Sequence, residues 1–210
     1  ADGHSKQNEI ATTVGIPTGG CSNLLKSLIE LGMVSKEVPV GEQTTKKTIY
    51  KISDQMFRFW YRFVGINTNM ITAGYGELVY DNIVEPQLSG FMGNVFEVIC
   101  MDYLIKQLGE GKCPVFFSQI GQWWGTNQYT RKQEEIDIMA IGKNAAIFGE
   151  CKWKNASCDR QVLDKIIERS ELFSYQDKYI YLFSKNGFTS SCREKAEESD
   201  KVYLVDFSDM

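Results

Sequence analysis

Two short segments constrain this chain more than any others: Glu134-Glu135-Ile136-Asp137-Ile138-Met139-Ala140 and Ala146-Ile147-Phe148-Gly149-Glu150-Cys151-Lys152-Trp153. Both alternate apolar and polar residues as strands do. The intervening Gly142-Lys143-Asn144-Ala145 has the composition of a tight turn, so the pair reads as a β-hairpin. With Lys143 and Asn144 at the tip, the register sets Asp137 opposite Glu150, and opposed residues share a face of the sheet. Glu150 and Lys152 project together while Cys151 points the other way. Two opposed carboxylates destabilise a hairpin unless a cation lies between them. Hard oxygen donors suit Mg²⁺ (or Mn²⁺), which takes one or two carboxylates and leaves its other positions to water and phosphate. A metal held by Asp137 and Glu150, with the Lys152 ammonium beside it, suits phosphodiester hydrolysis. Charged residues alternating with apolar ones also describe any half-exposed strand, so context has to decide.

Upstream, residues 87 to 108 read as a helix in which Val95, Phe96, Ile99, Tyr103 and Leu104 recur at helical spacing. Glu97 lies along an apolar stripe with Gly93, Met101, Leu104 and Leu108, and a carboxylate in that setting needs a partner or a route to water. Val115-Phe116-Phe117-Ser118-Gln119-Ile120 reads as a strand. After the hairpin come a helix over 159–174, a strand over 179–183, a helix over 191–198 and a strand over 202–205. Between the first strand and the hairpin, Gln122-Trp123-Trp124-Gly125-Thr126-Asn127-Gln128-Tyr129-Thr130-Arg131-Lys132 reads as a polar and aromatic loop. Its Arg131 and Lys132 are placed to hold a phosphate backbone near Asp137, and Lys154 and Arg160 to extend that contact. An ordinary solvated loop with its tryptophans folded onto the core is the other reading.

The first third differs in pattern. Glu9 to Pro17 reads as a short helix stopped by Gly15 and Pro17, with Asn8 as its N-cap. A second helix over 21–31 turns Leu24, Leu25, Leu28 and Leu31 inward and Ser22, Asn23 and Lys26 outward, with Gly32 just past its end. Strands over 33–38 and 47–52 follow, joined by a polar loop containing Gly41, Glu42, Gln43, Thr44 and Thr45. Helix, turn, helix and β-wing make a winged helix-turn-helix, a unit that places its second helix in the DNA major groove. Ser22, Asn23 and Lys26, with Lys46 and Lys47 of the wing, are its candidate DNA contacts. Residues 1 to 64 carry eight Lys and Arg against six Asp and Glu, and residues 65 to 210 fifteen against twenty-one. That basic balance is slight for a DNA binder, so packing against a neighbouring domain is a second use for the same unit. Asp54 to Val64 then packs five aromatics into one helical run, read as a buried helix joining two modules rather than a stacking platform.

Asp137 followed by Glu150-x-Lys152 resembles the core motif of the PD-(D/E)XK nucleases, with Ile136 where the motif name has proline. The resemblance implies an αβββαβαβ order, which the segments above reproduce. It also implies an acid on the first core helix near the metal, a role Glu97 matches. More widely, Asp54-x-x-x-Arg58-Phe59-Trp60-Tyr61-Arg62-Phe63, with Glu135-Ile136-Asp137 and Gly149-Glu150-Cys151-Lys152-Trp153 downstream, looks like the C-terminal part of archaeal-type AAA-like ATPases of archaea and bacteria. That likeness covers nearly the whole chain. It implies a partner in the form of a preceding ATPase domain, and this chain is expected to be a fragment of such a longer protein. No Gly-x-x-x-x-Gly-Lys-Ser/Thr loop occurs, so no ATP site is expected in it. The fold class implied is α/β: a winged helix with an aromatic connecting helix over 1–64, a helical connection over 65–86, and a nuclease-like core over 87–210.

Composition excludes other chemistries. The single histidine, His4, lies near the N-terminus, which removes His-based acid–base catalysis. The six cysteines, Cys21, Cys100, Cys113, Cys151, Cys158 and Cys192, contain no C-x-x-C, so zinc is not expected. No run of membrane-spanning length and no signal peptide is read, which places the chain in the cytoplasm. Two functions from different classes stand: a Mg²⁺-dependent DNA endonuclease, and a catalytically silent nuclease-like module that docks onto an ATPase. The net charge of −4 favours the second, and the full set Asp137, Glu150, Lys152 and Glu97 favours the first. Oligomeric state is not legible.

Overall fold

The computed structural model describes residues 3–43 and 46–210, so Thr44 and Thr45 of the expected wing loop lie outside the described residues. The chain divides into two compact units. One comprises Ala1–Val38 and Glu42–Leu88, the other Pro39–Gly41 and Ser89–Met210.

In the first unit, helices α1 (Gln7–Val14) and α2 (Thr18–Glu30) precede an antiparallel hairpin of β1 (Val34–Glu37) and β2 (Ile49–Ile52). Gly15 ends α1 and Gly32 follows α2, both with positive φ (73° and 71°), where a side chain would be strained. The N-cap of α1 is Lys6 rather than Asn8. A small core gathers Ala11, Cys21 and Leu25 with Ile10, Ile16, Val34 and Tyr50. Leu24 and Leu31, expected inward, are exposed. The buried stripe of α2 is Cys21 and Leu25, with Leu28 and Ile29 half-buried beside it.

Asp54 caps α3 (Gln55–Phe59) by accepting from Phe57 N, and the helix continues as a π-turn over Trp60–Val64. The aromatic run is not buried as expected. Phe63 alone reaches the core, whereas Met56, Phe57, Trp60 and Tyr61 stay exposed. Widening of the helix to the π form rotates successive residues off the stripe that ideal spacing predicts. Short helices α4 (Thr68–Thr72) and α5 (Gly76–Val79) follow. From Gly76 to Gly109 the chain is continuously helical over 34 residues, longer than the helix expected over 87–108, and apolar enough to span a membrane by length and composition.

The second unit is a mixed five-stranded sheet in the order β3-β4-β5-β6-β7, with strands Gln119–Thr126, Gln133–Ile141, Ala145–Lys152, Asp177–Ser184 and Val202–Asp206. Its first three strands are antiparallel and its last three parallel. Helix α6 (Glu85–Gly109) precedes the sheet, α7 (Arg160–Ser170) connects β5 to β6, and α8 (Ser190–Glu197) connects β6 to β7. Helix, three strands, helix, strand, helix, strand is the expected order. Residues Phe96, Cys100 and Leu104, one helical face apart, bury α6 against Ile138, Ile147 and Phe183. Leu163 and Ile166 of α7, with Cys192 and Ala196 of α8, close the other face over Ile136, Met139, Phe148 and Leu182. Covered on both sides, β5 reads Ala-Ala-Ile-Phe-Gly, a continuous apolar run rather than an alternation.

The expected strand over 115–120 begins later. Phe116 is exposed, and β3 runs through Gln122, Trp123 and Trp124, residues read as loop. Trp123 is held there by packing edge-on against Phe173 at 5.0 Å. The β4–β5 hairpin, by contrast, has the expected register, pairing Ile138 with Gly149 and Ile141 with Ala146. Gly142 N donates to Ala145 O across its turn at 2.9 Å. A Cβ at Gly142 would lie 2.6 Å from the Phe116 carbonyl oxygen, so backbone would have to move for any larger residue.

Candidate functional site

Asp137 lies where the regular ladder breaks. Gly121 pairs with Met139 and Trp123 with Ile136, so Asp137 and Ile138 together oppose the single residue Gln122, a β-bulge in β4. The break explains why Ile136 and Ile138 belong to the cores on opposite faces of the sheet. On the other side of β4, the β4–β5 ladder ends at Ile138 and Gly149. One step beyond, Cys151 N donates to Asp137 Oδ2 at 2.8 Å, so a side chain replaces a strand carbonyl. Bulge and ladder end together re-aim this carboxylate toward Glu150-Cys151-Lys152.

Glu150 is buried at 7% exposure and carries two cations. The Lys152 ammonium donates to Oε1 at 2.5 Å and lies 3.9 Å from Asp137 Oδ2, between the two carboxylates. The Arg169 guanidinium donates to Oε2 at 3.1 Å and, through Nε, to Glu134 at 3.0 Å. Burial, then the neighbouring charge of Glu150, pushes the Asp137 carboxyl up to about 6 against the pull of Lys152 and the Cys151 amide. Burial disfavours the Lys152 ammonium, but Glu150 and Asp137 more than offset it and hold its pKa above the ordinary lysine value. The Cys151 thiol is held well above its usual range by burial, with Cys100 hydrogen-bonded to it and Asp137 and Glu97 adding charge nearby.

Glu97 sits on α6, half-buried, and reaches the cluster through an amide: Gln122 Nε2 donates to Glu97 at 3.4 Å and to Glu135 at 2.8 Å. Asp137, Glu150 and Lys152 therefore converge, while Glu97 is bridged through Gln122 to Glu135, two residues before Asp137. Among the described residues, no group of three or more His, Cys, Asp or Glu is arranged to hold a metal ion. The donor set is two carboxylates with one cation already placed between them.

The expected nucleic-acid contacts fall on α2, the β1–β2 hairpin and the β3–β4 turn. Ser22, Asn23 and Lys26 are exposed on α2, Lys26 lying 4.0 Å from Glu30, and Lys47 is paired to Glu42 at 2.8 Å. Lys46 is exposed just before β2. Arg131 and Lys132 are exposed at the β3–β4 turn, where Arg131 adopts a φ of 60°, the one positive value outside glycine among the described residues. Asn127 secures that turn, its Oδ1 accepting from Tyr129 N and Thr130 N. Arg160 pairs with Asp164 within α7.

Sequence reasoning missed Arg169 and Gln122. Arg169 is three residues past Ile166 on the buried stripe of α7, the same signal that singles out Glu97. Gln122 is hidden when its strand is read as a loop.

A family model described as "Archaea bacterial proteins of unknown function" matches residues 60–166, just over half the chain. An uncharacterized protein of Methanocaldococcus jannaschii, MJECL04, is 28% identical over 217 residues, covering 100% of this chain. The chain spans 46% of that relative's length. Among solved structures, protein VC1899 from Vibrio cholerae aligns over 88% of this chain and 38% of its own, with 15% identity and a TM-score of 0.39.

Proposed function

Taking as premise that the chain belongs to that family, DUF234, we propose that it is a Mg²⁺-dependent DNA endonuclease domain of the PD-(D/E)XK kind. In this reading α2 and the β1–β2 hairpin act as a winged helix that holds DNA, the residues before it in the whole protein form an ATPase, and the protein works in the cytoplasm. One observation carries the proposal: the Lys152 ammonium lies between Asp137 and Glu150 at the open end of a hairpin, a position two hard carboxylates can share on a divalent ion. Asp137 and Glu150 would hold it, and a bound Mg²⁺ would polarise a phosphoryl oxygen and ease ionisation of a water. The reaction adds water across a P–O ester bond. The water oxygen bonds to phosphorus, the ester oxygen leaves with one proton of that water, and the second proton passes to solvent. Lys152 faces the charge that builds on the phosphorus oxygens. Arg131 and Lys132 hold the backbone, and Gln122 bridges Glu97 and Glu135 by donating its amide to both.

A second reading has its own observation. Both oxygens of Glu150 are already bonded to cations, which balances the site without any metal. That suits a silent module that docks onto an ATPase. Incubation of the chain and its Lys152→Ala variant with supercoiled, linear, single-stranded and branched DNA in Mg²⁺ or Mn²⁺ separates the two. Cleavage by the parent, reduced at least about a hundredfold in the variant, supports the nuclease. Absence of cleavage from every substrate supports the silent module.

A further inference from the structure

The two cations on Glu150 differ in how far their contacts reach across the sheet. Lys152 sits on a flexible four-carbon stem with its side chain 25% exposed, and although it bonds Glu150 at 2.5 Å and the Cys151 carbonyl at 3.3 Å, it reaches no second carboxylate closer than Asp137 at 3.9 Å. Arg169 is anchored at both ends. Its side chain is 15% exposed, its Nε is held by Glu134 of β4 and its NH1 by Glu150 of β5, and its backbone belongs to a helix fixed by Leu163 and Ile166. A planar guanidinium donating to two carboxylates on adjacent strands has little freedom to reorient, unlike an ammonium. Glu150 thus has one oxygen clamped and one facing Asp137.

We propose that Arg169 is a positioning residue that clamps one oxygen of Glu150 to Glu134 and so leaves the other to be shared with Asp137 on a divalent cation. This rests on the reading of Asp137 and Glu150 as a metal pair. Groups that orient a ligating carboxylate set metal affinity because an unclamped carboxylate turns away or collapses onto the nearest cation, here Lys152. Arg169 also supplies a positive charge that on its own repels a second cation. The clamp and the repulsion predict opposite effects of removing Arg169, and the clamp is the larger because Glu150 is buried, where solvent competes poorly to orient its carboxylate.

The test is a titration of the chain with Mn²⁺ alone, following the electron paramagnetic resonance signal of the free ion, with thermal melts to show that each variant is folded. The parent binds one Mn²⁺, and Asp137→Asn abolishes that binding. Arg169→Gln weakens it about tenfold to a hundredfold, the range seen when the groups that orient a metal ligand are removed. Arg169→Lys keeps the charge but cannot span both acids, and it weakens binding in the same direction. Glu134→Gln, which removes the far anchor and leaves Glu150 and Arg169 intact, weakens it several-fold. A folded Arg169→Gln that binds Mn²⁺ as tightly as the parent or more tightly overturns the clamp and leaves Arg169 a mere counterion. Where Arg169→Gln does not fold, Arg169→Lys and Glu134→Gln decide by the same criterion. A parent that binds no Mn²⁺ overturns the metal reading itself and the clamp with it, an outcome distinct from a parent that binds while the variants match it.

Discussion

At the scale of single residues, the β-bulge takes one carboxylate out of register. Asp137 accepts from the Cys151 amide and sits near Glu150, with a folded pKa of about 6 against an ordinary value of 3.8. A raised folded pKa means the folded state binds the proton more tightly than the unfolded chain. The stability this gives is fully present below about pH 4 and is lost as pH rises through about 6. Asp137→Asn keeps a neutral group there at every pH. Thermal melts of the two proteins at steps from about pH 4 to 7 should therefore show the variant gaining on the parent across that window and the difference levelling above it. How legible this was depends on the range of the interactions involved. The turn chemistry and alternating pattern set the register of the hairpin, because both are local. The bulge that turns Asp137 is set by Gln122 of the preceding strand, and nothing in the sequence of β4 records it.

At the scale of elements, α7 ties the cluster to the core. Asp159 accepts from Val162 N at 3.2 Å and starts the helix, while Leu163 and Ile166 seat it on the sheet so that Arg169 meets β4 and β5. Asp159→Ala should lower the stability of the chain by about 1 kcal/mol, the usual cost of removing an N-cap, read by urea denaturation. If Arg169 is the clamp, the same variant should also shift Mn²⁺ binding far less than Arg169→Gln does, because the later turns remain seated. Elements were legible where one signal governed them. Helices α7 and α8 and strands β6 and β7 fall within a few residues of their expected positions, since each helix pairs a cap with one buried stripe and each strand is a short apolar run packed on both faces. Misreadings came where two signals competed. Val115-Phe116-Phe117 has strand composition but no strand beside it, whereas Gln122-Trp123-Trp124 looks polar yet pairs with β4 and packs Trp123 on Phe173. The aromatic run of α3 misled because helical spacing says which residues share a face, not whether anything covers it.

At the scale of the whole molecule, charge limits what the proposed winged helix achieves alone. A net charge of −4 opposes nucleic acid at long range. Duplex binding by this chain should be weak and steeply salt-sensitive. The combined variant Lys26→Ala with Lys46→Ala should reduce the slope of log K against log salt by about two, since each phosphate no longer neutralised removes about 0.9. An unchanged slope would remove α2 and the wing from the DNA interface. The order of helices and strands in the five-stranded unit was legible, whereas the exchange of three residues between the two units was not, because it is made by a contact distant in sequence. Pro39–Gly41 lies in the sequence of the first unit but belongs to the second, where Val40 N donates to the Gln122 carbonyl at 2.9 Å. That bond closes a loop of about eighty residues, an entropic cost that grows only slowly with length. A cut at a single peptide bond near residue 88 would turn this pairing from an intramolecular one into an association between two pieces. The site would then depend on concentration, because one backbone amide carried on the upstream piece steadies the residue that bridges Glu97 and Glu135.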